Sequence, residues 1–396
     1  MAHRPPHTTA AHRIAGPPDR PPPDGRRRAA RDLRWLLLVT CAVPVAGSAA
    51  DFALLAGAPA DGWSGAVLPW LRLLCSLATG CWLARLVADR TGARPARRPG
   101  QAPERGRGRG RGQGQGQGQG QLRTVLALTA LACAARFADL IRAGEAQSAV
   151  GGVATTVLLA WLCGELAVSH GAGWRGLGVA PSGARTPQGR LTAVLVFGAV
   201  FVLAYTTVVW MAHLRMSLPA AAPWLPVLHE AQSSALGWRG PADMVANVLF
   251  TGIAEEMVLV GAVVVLGRAA GRPLWALCAL SLLLRVAGHL YLGVPGVALV
   301  LLGACSLFLY LHRGRLVPLV AGHIAYDLAA TLAPSPEALN TWVLGVLLGT
   351  GAAFAAWLHW FAPAGSGTAR SRPRGRSHGR ESAGRPPRPA RTGGLR

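Results

Sequence analysis

The sequence predicts an all-α, polytopic integral membrane protein of about ten transmembrane helices, with both termini on the cytoplasmic side. Three observations lead there. Apolar residues make up 51% of the 396, and they fall in long blocks rather than at helix or strand periods. Backbone groups in lipid must bond within their own segment, so these blocks are helices. Charge is also unevenly placed: the net charge of +23 comes from arginine alone, since the chain has no lysine. Thirty-four of the 40 arginines lie in the N-terminal tail, the 85–123 linker, the 175–190 loop, the turns at Arg268/Arg272 and Arg313/Arg315, and the C-terminal tail. Those are the alternate loops of an N-in, C-in chain, as the positive-inside rule requires. This topology accounts for the basic charge better than a nucleic-acid partner does, and no nucleic acid is expected.

The expected spans are roughly 35–56, 63–84, 124–141, 148–168, 191–212, 242–266, 273–292, 296–312, 316–333 and 340–361. Residues 1–33, rich in Pro and Arg, read as a disordered basic cytoplasmic tail. The following WLLLVTCAVPVAGSAA is similar to a signal-peptide core, but its charged leader is too long, and it reads as an uncleaved span. Residues 34–88 read as an appended transmembrane hairpin, in which Asp51 and Arg72 are placed to pair. Residues 89–122 contain RGRGRGRGQGQGQGQGQ, a low-complexity linker that cannot form a core. The working domain is 123–362, with a catalytic core of six to eight helices, and 363–396 is a second disordered basic tail.

Within the working domain, Arg136 and Asp139 are three apart and expected to neutralise each other. Glu165 reads as interfacial, and His213, His229 and Glu230 as loop residues without a role. The seven cysteines all lie in spans without paired spacing, so they read as small packing residues rather than disulfides or zinc ligands.

The chemistry concentrates between 247 and 330. Three apolar runs carry ionisable residues in their middles: Glu255 and Glu256, then Arg285 and His289, then His323 and Asp327. Each charge in mid-membrane costs roughly 2.5–3.5 kcal/mol on insertion scales, so such residues are read as functional and as mutually paired. On an α-helix Glu255 and Glu256 point about 100° apart, so one faces a cavity while the other reaches a neighbouring helix. Arg285 and His289 are four apart, on one helical face, and so are His323 and Asp327. The set suits hydrolysis, with a carboxylate as general base for water and imidazoles to assist or to stabilise an oxyanion. It suits equally a divalent metal such as zinc held by His289, His323 and Glu255 or Glu256. A polar network that only orders helix packing is the plainer alternative.

In AEEMVLVG, RVAGH and HIAYD the chain resembles the CAAX-protease and bacteriocin-processing (Abi) family of intramembrane endopeptidases, also called type II CAAX prenyl endopeptidases. That family's pattern is Glu-Glu-x-x-x-Arg, Phe-x-x-x-His and His-x-x-x-Asn/Asp on successive transmembrane helices, and the resemblance covers roughly 190–335. It implies that Glu255 activates the attacking water with His289, that His323 and Asp327 bind the oxyanion or complete the site, and that Glu256 is a supporting carboxylate. It leaves open whether a metal is required. Two positions depart from the pattern: Val260 stands where the first motif has Arg, and Arg285 where the second has Phe. Two adjacent buried carboxylates repel each other unless a cation lies close, which suggests that the guanidinium has moved from one helix to its neighbour. The implied substrate is a membrane-associated peptide or protein, cut in or at the cell membrane. A non-catalytic immunity or scaffold protein of the same fold is the main alternative. A secondary transporter is a weaker one, since paired repeats with broken helices are not evident.

Overall fold

The computed structural model describes residues 22–55, 63–92, 111–141, 149–179, 186–218, 241–332, 345 and 347–356. Among them there are helices and turns and no strand. The helices are α1 (Pro23–Leu55), α2 (Trp63–Thr91), α3 (Arg111–Ile141), α4 (Ala149–Ser169), the short α5 (Gly173–Gly176) and α6 (Pro187–Ser217). They continue as α7 (Pro241–Ala269), α8 (Leu274–Ala287), α9 (Leu299–Arg313), α10 (Val317–Leu332) and α11 (Leu347–Ala356). Seven segments are long and apolar enough to cross a membrane, α9 being counted with the 3-10 turn before it as Val294–Arg313, and α8, α10 and α11 are shorter apolar helices. The chain is a polytopic membrane protein, as the blocks of apolar sequence predict.

Some boundaries differ from the sequence reading. Helix α1 starts at Pro23, well inside the stretch read as a disordered tail. A proline opening the helix, Asp24 in its first turn and a run of helix-forming arginines explain this early start. Helix α3 starts at Arg111, so the Gln-Gly half of the linker is wound onto the apolar segment that follows it. The opposite difference occurs at 273–292, which is not one span: α8 stops at Ala287 and two short 3-10 turns, Leu290–Leu292 and Val294–Ala298, precede α9. Residues 1–21, His229, Glu230 and the tail from 363 lie outside the described residues.

Helix α7 is the axis of the bundle. In its apolar stretch 72% of residues are buried, against 22% in each of α1, α2 and α3. One core cluster gathers Leu36 of α1, Leu83 of α2, Leu162 and Leu166 of α4, Val258 and Val263 of α7 and Leu319 of α10 around it. A second joins α6, α10 and α11: Phe197 stacks on Phe354 with ring centroids 5.1 Å apart, and Phe201 meets Tyr326 edge-on at 5.6 Å. Large side chains such as Leu195, Trp275 and Leu283 are exposed on the outside, as a lipid-facing surface requires.

Polar contacts tie the first hairpin into this bundle rather than leaving it appended. Asp32 of α1 lies 3.0 Å from His170 Nε2, and Ser76 of α2 shares a 3.0 Å hydrogen bond with Thr155 of α4. Arg90 at the end of α2 pairs with Glu165 at 2.8 Å. Glu165 is buried, held by Arg90 and by the indole N–H of Trp161 one helical turn away. Arg136 and Asp139 pair at 3.4 Å as their spacing predicts. All seven cysteines are free.

Candidate functional site

The site is built on α7, α8 and α10, with α9 closing it. Residues 253–262 of α7 are a π-helix. Its i→i+5 bonding makes a wider turn than the 3.6-residue α-helix, so successive side chains diverge by less than about 100°. Glu255 and Glu256 open this segment, and the wider turn lets both carboxylates approach one guanidinium. Glu256 reaches the neighbouring helices while Glu255 lies toward the more open side, and both touch that guanidinium. Single π turns recur at functional sites, because the wider coil can aim side chains that an α-helix would separate.

Arg285 is that guanidinium. Its Nη1 lies 3.0 Å from Glu255 Oε2, while Nη2 donates to Glu256 Oε1 at 2.9 Å and to the Glu255 carbonyl at 3.3 Å. It is almost wholly enclosed, 1% exposed, and Glu256 is fully so. Such a cation is retained in a low-dielectric interior only with charge partners this close. Space for it comes from Gly303 of α9, where a Cβ would lie 3.2 Å from Arg285 Cδ and 3.3 Å from its Nε.

Glu256 Oε1 is a hub. Besides Arg285 it accepts from Ser306 Oγ at 3.3 Å and from His323 Nδ1 at 2.8 Å. His323 turns its other nitrogen to Asp327, 3.6 Å from Oδ2 and one turn along α10, the shared face that the spacing predicts. Glu256 and His323 thus form the buried floor of the site. Asp327 is more open, with 24% of its side chain exposed.

Glu255 and His289 form the more open side. His289 Nε2 lies 3.3 Å from Glu255 Oε1, and the His289 side chain is 19% exposed. His289 is not on the face of a helix with Arg285, as the four-residue spacing suggests. It follows the end of α8, with φ −124° and ψ 25°, in the break between α8 and the turns before α9. The break is written in Gly-Val-Pro-Gly at 293–296: Gly293 has φ 63° and ψ −148°, a conformation in which a side chain would be strained, and Pro295 opens the next turn. His289 stays close to Arg285 all the same, because its Nδ1 lies 2.9 Å from the Arg285 carbonyl.

A carbonyl only accepts, so in the contact with Arg285 it is the His289 Nδ1 that donates. Nε2 is thereby turned toward Glu255, and the two side chains place an imidazole beside a carboxylate at the open side of the site, the residue types that general acid–base catalysis uses.

All six residues read from the sequence are thus brought together, and Arg285 takes a central position rather than a supporting one. Sequence reasoning missed Ser306 and Gly303, three apart on α9; small and hydroxyl residues at that spacing are the signal of a close helix contact. Among the described residues no group of three or more His, Cys, Asp or Glu is placed to hold a metal. His289, His323, Glu255 and Glu256 are engaged with Arg285 and with one another, an arrangement that does not fit the expected metal set.

Residues 237–329 match the family model described as type II CAAX prenyl endopeptidase Rce1-like. This matched segment contains all six site residues and agrees with the CAAX-protease and bacteriocin-processing family. Comparison with curated proteins and with solved structures gave no match.

Proposed function

We propose that this chain, with its Rce1-like segment at 237–329, is an intramembrane endopeptidase that hydrolyses a peptide bond of a membrane-associated peptide or protein. The observation that carries this reading is the Glu255–His289 pair, a carboxylate and an imidazole 3.3 Å apart at the more open side of a buried ionic network. Glu255 takes a proton from water while the water oxygen bonds to the scissile carbonyl carbon. The tetrahedral intermediate then collapses, and the proton held by Glu255 and His289 passes to the departing amine nitrogen. Arg285 orients Glu255 through the 3.0 Å ion pair and supplies positive charge beside the two carboxylates.

His323 and Asp327 supply the remaining polar wall, suited to the developing oxyanion through an imidazole N–H. Glu256 orients His323 and neutralises Arg285. The protein works in the cell membrane with both termini cytoplasmic, a reading supported by its arginine distribution. A non-catalytic scaffold would not need a carboxylate–imidazole pair at its more exposed side.

Terminus-resolved mass spectrometry of membrane peptides tests the proposal, comparing cells that carry the natural protein with cells that carry Glu255→Gln at equal abundance. Peptide ends that vanish in the variant identify a protease and its substrate together. Unchanged ends, with the variant still complementing deletion, would replace the catalytic reading with the scaffold.

A further inference from the structure

Helix α1 lies outside the Rce1-like segment, yet one of its faces is turned to the site. Pro44 Cβ lies 3.9 Å from where a Cβ on Gly288 would stand. Ser48 Oγ accepts a 3.0 Å hydrogen bond from the backbone N–H of Tyr291. Positions 44 and 48 are about one turn apart, on a single face of an α-helix. That face runs along residues 288–291, the non-helical stretch that carries His289.

A chain that leaves helical conformation at membrane depth frees backbone groups that no lipid can satisfy. The Tyr291 N–H is such a group, at the start of the 3-10 turn Leu290–Leu292. Ser48 supplies its acceptor, and Ser48 is 3% exposed, so water is not a ready substitute. His289 precedes that turn by one residue and its ring packs on Tyr291, with centroids 5.7 Å apart. Its position is thus fixed on one side by the Arg285 carbonyl and on the other through Tyr291 and Ser48.

We infer that Ser48 is a positioning residue of the site: through the Tyr291 amide it sets where His289 stands relative to Glu255. The N-terminal hairpin is then a working part of the site. This inference rests on the proposed function only for its effect on rate, because the placement of the His289 ring can be read without any substrate.

The test uses the full-length protein labelled with 15N-histidine in lipid nanodiscs, with the His289 signals assigned through His289→Gln. Ser48→Ala and Ser48→Val remove the acceptor, and Ser48→Thr keeps it. Ser76→Ala removes a hydroxyl of similar setting that contacts Thr155 instead. The expected result is that Ala and Val shift or broaden the His289 ring signals and leave those of His323 in place, while Thr and Ser76→Ala resemble the natural protein. In parallel, cleavage of a quenched-fluorescent farnesylated peptide ending in a CAAX sequence falls about ten-fold with Ala or Val, the scale of one lost buried acceptor, and Thr restores it.

Unchanged His289 signals in a folded Ser48→Ala or Ser48→Val protein overturn the inference. So does failure of both to fold while Thr folds, because Ser48 would then serve folding rather than placement. If the natural protein and Glu255→Gln cleave nothing, in this assay and in cells, the protease reading fails while the ring signals still decide the role of Ser48.

Discussion

Arg285 Nη2 lies 2.9 Å from Glu256 Oε1, and neither side chain reaches solvent. A guanidinium and a carboxylate so enclosed form one unit, and removing either leaves the other as an uncompensated charge.

Arg285→Met should therefore cost about 3–5 kcal/mol, the usual penalty of breaking a buried ion pair from one side. Thermal unfolding in detergent micelles measures it. In an Arg285→Phe background, adding Val260→Arg should recover part of the stability and part of the cleavage. Failure of that rescue despite normal insertion would show that the guanidinium cannot be exchanged between α7 and α8.

The two glutamates should separate cleanly. Glu255→Gln removes the general base, so cleavage should fall by about 10²–10⁴-fold, with the unfolding temperature changing less than in Glu256→Gln. Glu256→Gln keeps the shape but replaces the anionic acceptor shared by Arg285, Ser306 and His323, so it should destabilise the protein strongly. Parallel unfolding and peptide-cleavage measurements distinguish them; equal loss of stability in both would contradict the division of roles.

Gly303→Val should disturb the site from behind. A Cβ there already comes within 2.7 Å of Leu282 Cδ2 and crowds Arg285, and overpacking of this kind costs about 1–3 kcal/mol. A cleavage assay normalised to folded protein should also fall, since Arg285 must move.

Arg90→Met offers a contrast, far from the chemistry. Glu165 would keep only the Trp161 indole. Arg90 is 36% exposed, so its loss should cost less than that of Arg285, about 1–2 kcal/mol. Cleavage per folded molecule should be unchanged; a specific loss would mean that the hairpin contact at 90/165 communicates with the site.

Much of this was readable in the amino-acid sequence because the membrane enforces simple rules. Apolar blocks become helices, and a charge inside one needs a partner, which is why Glu255, Glu256, Arg285, His289, His323 and Asp327 could be grouped before any coordinates. The i,i+4 spacing placed His323 and Asp327 on one face of α10. The same spacing misled at Arg285 and His289, because the helix ends at Ala287, between them, and the turns through Gly293 and Pro295 follow; a turn outweighs a period. The π-helical stretch 253–262 could not be foreseen, since its sequence has no Gly-Pro signature. Ser48 was invisible for another reason. A hydroxyl in an apolar span looks like packing until a distant stretch of backbone is seen to need an acceptor.

Helices α8 and α10, which carry Arg285 and the His323–Asp327 pair, have 14 and 16 residues. At 1.5 Å per residue they are about 21 and 24 Å long, short of the roughly 30 Å hydrocarbon layer. Where these helices meet lipid, the bilayer has to dimple inward to match them, at a cost that grows with each ångström of mismatch. Such a dimple brings headgroups and water nearer the half-depth at which Glu255 sits, and it would draw in substrate segments too short to span comfortably elsewhere. Bilayer thickness, set by acyl-chain length, thereby becomes a control on this protein in its own right: thin membranes should favour its working shape, and thick ones should strain it.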